Sequence, residues 1–213
     1  MLIHPWDEPL ADTDALAFVR RTGFGHLVAP GRREVPVVVP TQYVLSDEPA
    51  EVFPEVLLHL ARPNPVWAAL AESPTVVLSV AGEWAYVPAA WKAIGDEDAT
   101  LGIPTTYYAA VQLVASAEIL DEPEAKLAVL RAQLASVEPS SGVADPSVHA
   151  RKLTGIRGLR LSVREVKAKF KYGGNVDAAH RAAIADRLLS RSGPGDAAAR
   201  AHILRSLQDG GGE

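Results

Sequence analysis

The sequence predicts an α+β protein: an antiparallel β-barrel with peripheral helices and further helices at the C-terminus. Two observations lead there. About six β-like runs follow one another as far as Phe170, with one long helix inserted among them. Strands grouped in this way, with few crossovers, favour an antiparallel barrel over a doubly wound sheet. From Asp177 onward the patterning is helical instead.

The elements follow in order. Asp12, Thr13 and Asp14 are good N-cap types, and Ala15, Leu16, Phe18 and Val19 form a helical apolar stripe, so Asp12–Thr22 reads as a helix ended by Gly23 and Gly25. His26–Ala29 and Val35–Val39, on either side of Pro-Gly-Arg-Arg, read as a hairpin. Val56–Ala61 is a short apolar run. Pro63-Asn-Pro65 breaks the chain and opens a short helix, Val66–Glu72. Thr75–Ala81 reads as a strand, followed after Gly82 by Trp84–Val87. Tyr107–Leu120 is a long strand with Val111, Leu113 and Ala115 on one face. In Pro123–Val137 an amphipathic helix presents Leu127, Leu130 and Leu134. Arg157–Phe170 alternates, placing Leu159, Leu161, Val163 and Val166 opposite Arg160, Ser162 and Arg164. Two helices close the chain, one running from Asp177 to Ser190 and one capped by Asp196 and ending at Leu207. Gly210–Glu213 reads as a frayed tail.

Composition narrows the chemistry. The 213 residues are 48% hydrophobic and 22% charged, ordinary for a folded domain, with no internal repeat or evident linker. A formal charge of −5 weighs against general nucleic-acid binding, which needs a basic face. With no cysteine there is no thiolate catalysis, Cys-ligated zinc, iron–sulfur cluster or disulfide. Phosphate loops of the Walker or dinucleotide type, His-Glu-x-x-His and Gly-x-Ser-x-Gly are all missing. Redox or Lewis-acid chemistry therefore has to come from a bound cofactor. With no signal peptide and no long apolar stretch, the expectation is a cytoplasmic protein without a membrane anchor.

Four segments stand out. In Leu57–Pro65, His59 shares a strand face with Leu57 and Ala61. It is either a core histidine satisfied by a carbonyl or a neutral metal ligand of the kind that holds haem iron. Trp84, Tyr86 and Trp91 crowd one segment and are either core or the walls of a flat cofactor. Gly102–Gln112 brings Thr105, Thr106, Tyr107 and Tyr108 into a strand together. In Val166–Asn175, Lys167, Lys169 and Lys171 repeat with period two ahead of Gly173-Gly174. That row is either a solvated face or a set of point charges for carboxylates or phosphates.

Together these segments resemble the PaiB-like FMN-binding split-barrel family, often described as negative transcriptional regulators. The match is carried by His59-Leu-Ala-Arg-Pro-Asn-Pro65, Ala85-Tyr-Val…Trp91, Pro104-Thr-Thr-Tyr-Tyr-Ala-Ala-Val111, Lys169-Phe-Lys…Asn175 and Gly195-Asp-Ala-Ala198. It departs at Tyr172-Gly-Gly-Asn175, where the regulators read Leu-Ser-Gln-Asn. Pro88-Ala-Ala-Trp91 replaces a segment that usually carries a Ser suited to a flavin phosphate, and Pro40-Thr-Gln-Tyr43 replaces a Thr-His-x-Pro run. The Thr105–Gln112 and Lys169–Asp177 runs are instead most similar to the haem-dependent piperazate synthase branch of this fold.

That resemblance implies a single split-barrel domain over residues 1–209, with C-terminal helices from about 177. It implies a homodimer and haem b as cofactor, with FMN as the alternative. The implied reaction closes N5-hydroxy-L-ornithine to L-piperazic acid by N–N bond formation with loss of water. His59 is the implied axial iron ligand. Arg62, Trp91, Lys169, Lys171 and Tyr172 are implied around the cofactor or the substrate carboxylate, and Tyr108, Thr105 and Thr106 at the reacting N–OH. On the regulator reading, Arg181, Arg187, Arg191, Arg200 and Arg205 of the terminal helices would supply a local basic patch.

Overall fold

The computed structural model describes residues 1–9, 11–31, 35–46, 53–93, 98–140 and 142–209. The elements run α1 (Asp12–Thr22), β1 (Phe24–Ala29), β2 (Val37–Gln42), β3 (Val44–Leu45), β4 (Val56–Ala61), α2 (Val66–Glu72), β5 (Thr75–Val87), α3 (Ala89–Lys92), β6 (Thr105–Leu120), α4 (Pro123–Val137), β7 (Ile156–Lys171), α5 (Ala178–Arg191) and α6 (Asp196–Asp209). Pro5–Asp7 and Pro146–Gly155 are 3-10 helices.

All seven strands join one sheet in the order β2-β1-β5-β6-β7-β4-β3. β1 pairs antiparallel with β2 and β5, and β4 with β3 and β7, in a register that sets His59 opposite Gly158. The expected antiparallel α+β architecture is what the chain adopts. It has seven strands rather than about six, and α3 joins α2 and α4 between them. The runs on either side of Gly82 form one continuous strand. The turn residues 32–34 and the tail 210–213 lie outside the described residues.

Local chemistry explains the boundaries. Asn64 Oδ1 accepts from the Val66 N–H at 3.0 Å and starts α2 straight after the proline break. Pro123 opens α4, where its missing N–H costs nothing. Asp177 accepts from the His180 N–H at 2.8 Å and caps α5.

The chain packs as two compact units. The sheet unit comprises Thr13–Val80 and Gln112–Lys167; the terminal unit comprises Met1–Asp12, Ala81–Val111 and Ala168–Glu213. The division falls inside β5, β6 and β7 rather than in a linker. The sheet unit buries Leu27, Leu58, Leu78, Leu113, Leu159 and Leu161 completely, each worth about 1.5–3 kcal/mol of transfer free energy. Phe18 and Val19 of α1 belong to that core, and the Tyr43 hydroxyl donates to the Val19 carbonyl at 2.8 Å. The terminal unit has its own core of Val87, Tyr107, Val111, Ile184, Leu188 and Ile203.

Two expected faces differ. In α4 the buried side chains are Lys126, Leu127, Val129 and Gln133, while Leu130 and Leu134 are only half-buried. Lys126 is admitted because its ammonium reaches Asp121 at 3.0 Å. In β7, Leu159 and Leu161 are core but Val163 and Val166 are half-buried, so the alternation weakens along the strand.

Candidate functional site

The terminal unit contains a cavity of about 550 Å³. From β6 come Thr105 and Tyr107; from the end of β7 and the turn after it come Lys169, Lys171, Gly173 and Asn175. Lys92 enters from α3, and His4, Trp6 and Asp7 form a further wall. The His4 imidazole stacks on the Trp6 ring with centroids 4.8 Å apart.

The lysines of this cavity differ. Lys169 is only 8% exposed. Its ammonium donates to the Leu2 carbonyl at 2.9 Å and lies 3.4 Å from Asp7, itself buried. Its charge is therefore matched within the protein. Among the described residues, Lys92 and Lys171 make no hydrogen bond or ion pair with protein. Partial burial, and then the nearby Lys171 charge, push the Lys92 ammonium below its ordinary range. Lys167 lies outside the cavity and pairs with Glu165 at 3.3 Å.

Strand phase sorts the hydroxyls. Thr105 and Tyr107 share one side of β6 and line the cavity; Thr106 and Tyr108 hold the alternate positions, half-buried and outside the lining. Tyr107 is 1% exposed, and its hydroxyl has no hydrogen-bond partner among the described residues. Burial pushes its phenol up to about 12, with the Arg181 charge opposing. Gly173, at φ +81°, leaves room for that hydroxyl, since a Cβ there would collide with it. Gly174 similarly accommodates the Trp6 carbonyl. Tyr172 is buried beside the cavity residues rather than lining it. It stacks on His202 at 4.5 Å and meets Tyr107 edge-on at 6.0 Å. Trp91 lies under the Arg191 guanidinium at 4.7 Å, and Arg191 in turn holds the buried Asp196.

His59 and Arg62 belong to the sheet unit. β4 buries Val56, Leu58 and Leu60, so His59 is on the less buried face with Leu57 and Ala61. Its partner is polar: Nδ1 lies 2.6 Å from Gln133 Oε1 of α4, a residue 5% exposed. An amide oxygen only accepts, so Nδ1 carries the proton and Nε2 carries the lone pair. That is the tautomer of a metal-ligating imidazole with an outer hydrogen bond. Nothing in the sequence pattern pointed to Gln133. Arg62 is committed to structure: it forks onto Asp121, with Nη1 at 3.1 Å, and donates from Nε to the Thr154 carbonyl at 2.7 Å. Lys126 and Arg157 also reach Asp121, and the bonds from Arg62 and then Lys126 hold its carboxyl well below the usual range.

Four of the five terminal arginines are similarly engaged. Arg181 donates to Ser206, Arg187 to the Ala90 carbonyl, Arg191 to Asp196, and Arg205 bonds His202, whereas the buried Nε of Arg200 has no hydrogen-bond partner among the described residues. Among the described residues no group of three His, Asp or Glu is placed to hold a metal ion, and no helix is long and apolar enough to cross a membrane.

A seven-stranded antiparallel sheet with helices before, between and after its strands in the chain belongs to the split-barrel class. Within that class the chain belongs to the family described as "Putative FMN-binding domain", which matches residues 4–165. No curated protein matches the sequence. Several solved structures share the fold. The FAD and heme binding protein from Mycobacterium smegmatis superposes with a TM-score of 0.59 at 17% identity, covering 82% of this chain and 78% of that one. The flavocytochrome Anf3 from Azotobacter vinelandii gives 0.58 at 19% identity, covering 78% and 69%. The conserved hypothetical protein Rv2991 from Mycobacterium tuberculosis gives 0.58 at 15% identity, covering 83% and 94%.

Proposed function

We propose that this chain is a haem-dependent piperazate synthase, closing N5-hydroxy-L-ornithine to L-piperazic acid. The observation that carries the reading is the His59–Gln133 hydrogen bond, which leaves Nε2 with its lone pair for iron. Haem b fits this donor, and the similarity in fold to a flavocytochrome and to a FAD and heme binding protein supports the assignment. When bound, a ferric haem supplies a Lewis acid able to weaken a hydroxylamine N–O bond.

The reaction is redox-neutral. The α-amine nitrogen bonds to N5, the N5–O bond breaks, and the hydroxyl leaves as water with one proton lost from the amine. The protein's share is to bind the substrate, exclude water and position protons. The half-buried His59, held by Gln133, is fixed in one tautomer. Of the hydroxyls on β6, Thr105 faces a cavity with room for an amino acid and serves as hydrogen-bond partner to the N–OH; Thr106 and Tyr108 lie on the other face of the strand, away from that cavity. Trp91 and Tyr172 are fixed by the Arg191 and His202 contacts, and Arg62 by Asp121. Each is thereby fixed within its own unit. The reading includes a homodimer, which light scattering measures.

The second reading, favoured by the family match, is an FMN-binding protein. Ala89 and Ala90 offer no hydroxyl for a flavin phosphate where the resembling regulators carry Ser. The engaged arginines of α5 and α6 weigh against a DNA-binding regulator.

The absorption spectrum of the purified protein separates the two. A Soret band, lost in His59→Ala, and the loss of one water from N5-hydroxy-L-ornithine by mass are expected. A yellow flavin spectrum would exclude the haem reading, and a Soret band unchanged in His59→Ala would move the iron to another ligand.

A further inference from the structure

We infer that the cavity of the terminal unit is a carboxylate-recognition site for a short aliphatic amino acid, with Lys92 and Lys171 as its cationic pair and the Tyr107 hydroxyl as its neutral donor. The identity of the amino acid rests on the proposed function; the site itself rests on the geometry alone.

Charge is the first argument. Of the three lysines lining the cavity, Lys169 has Asp7, and the other two have no anion among the described residues. Two neighbouring ammoniums without a carboxylate repel each other, and a bound anion relieves that repulsion. Partial burial depresses the Lys92 ammonium first, and the Lys171 charge adds to it in the same direction. The second argument is independent. Tyr107 is 1% exposed, and its hydroxyl has no partner among the described residues. A buried hydroxyl without a partner is costly, and a ligand oxygen in the cavity that Tyr107 lines would satisfy it. Gly173 preserves the room for it.

Shape selects the class of anion. Leu101, Ile103 and Val176 supply apolar wall beside the cations. A carboxylate on a methylene chain meets both surfaces. A volume of about 550 Å³ accommodates a molecule the size of ornithine. The same lysines would also attract haem propionates, so the test has to separate the two carboxylates.

The probe is L-ornithine, which lacks the N–O bond and cannot turn over, titrated calorimetrically into the protein as purified with its cofactor. 1,4-Diaminobutane is the same chain without the carboxylate. Wild type should bind ornithine and prefer it clearly to the diamine. Lys92→Met and Lys171→Met should each weaken ornithine about tenfold or more, and Tyr107→Phe, which changes one atom, should weaken it several-fold. Haem content, read from the Soret band, should stay at the wild-type level in all three. Equal ornithine affinity in wild type and variants overturns the inference. So does a loss of haem in the lysine variants, which would give the pair to the propionates. Failure of the haem reading shows separately, as a missing Soret band in wild type, and leaves the ornithine titration interpretable.

Discussion

Gln133 Oε1 lies 2.6 Å from His59 Nδ1, across 74 residues of sequence and between α4 and β4. The bond makes one ring nitrogen a donor and leaves the other basic. Gln133→Leu keeps the volume and removes the acceptor. Haem affinity should fall about ten- to a hundredfold, as removing an outer-shell partner of a ligating histidine usually does. Gln133→Glu, a stronger acceptor, should retain haem and lower its reduction potential. Haem titration and spectroelectrochemistry measure both, and a Leu variant matching wild type would leave the bond no role in metal binding.

Gly173 combines a φ of +81° with a hydroxyl where a Cβ would sit. Gly173→Ala should cost about 1–3 kcal/mol through backbone strain and displace the Tyr107 ring. Thermal unfolding should show a lower Tm, and ornithine binding should be lost with it. An alanine variant as stable as wild type would mean that the turn relaxes freely.

Tyr107 links stability to pH at the alkaline end. Its folded value is about 12, whereas an unfolded tyrosine ionises near 10. Below pH 10 neither state is ionised. Between about pH 10 and 12 only the unfolded chain loses the proton, so stability declines as pH rises through that window. Tyr107→Phe should remove this share of the decline and, by deleting an unsatisfied buried hydroxyl, leave the ligand-free protein as stable as wild type or about 1 kcal/mol more so. Urea unfolding at pH 8 and pH 11 tests both points.

Asp196 is 1% exposed and accepts from Arg191 at 2.8 Å and from the Gly193 N–H at 2.8 Å. The Arg191 bond, with help from Gly193, lowers its carboxyl. Its stabilising share is full above the ordinary carboxylate value near 4 and is lost as pH falls below it. Asp196→Asn should cost about 2 kcal/mol at neutral pH, because it strands a partly buried guanidinium. A Tm drop that shrinks as the pH is lowered below 4 is expected; a drop of equal size at neutral and acid pH would assign the effect to packing instead.

Much of the fold was legible because the chain marks it locally. The bounds of α1, α2 and α4 follow from caps and prolines, and His59 lies on a strand that the apolar run 56–61 announces. β3 is two residues long and has no period to detect, and α3 is a single turn behind Pro88. The site was less legible, because its partners are distant in sequence. Gln133 looked like one more polar position on a surface helix. Lys92 looked like the end of an aromatic segment. Tyr107 and Tyr108 are adjacent, and only strand phase, together with the space at Gly173, decides which of them reaches the cavity.

The Leu2 carbonyl and the Asp7 carboxylate both engage Lys169, and His4 and Trp6 stand in the cavity wall between them. Removing the residues up to Asp7 would therefore strand the Lys169 ammonium at the cavity wall. A chain trimmed there and the untrimmed one are expected to differ in what the cavity binds.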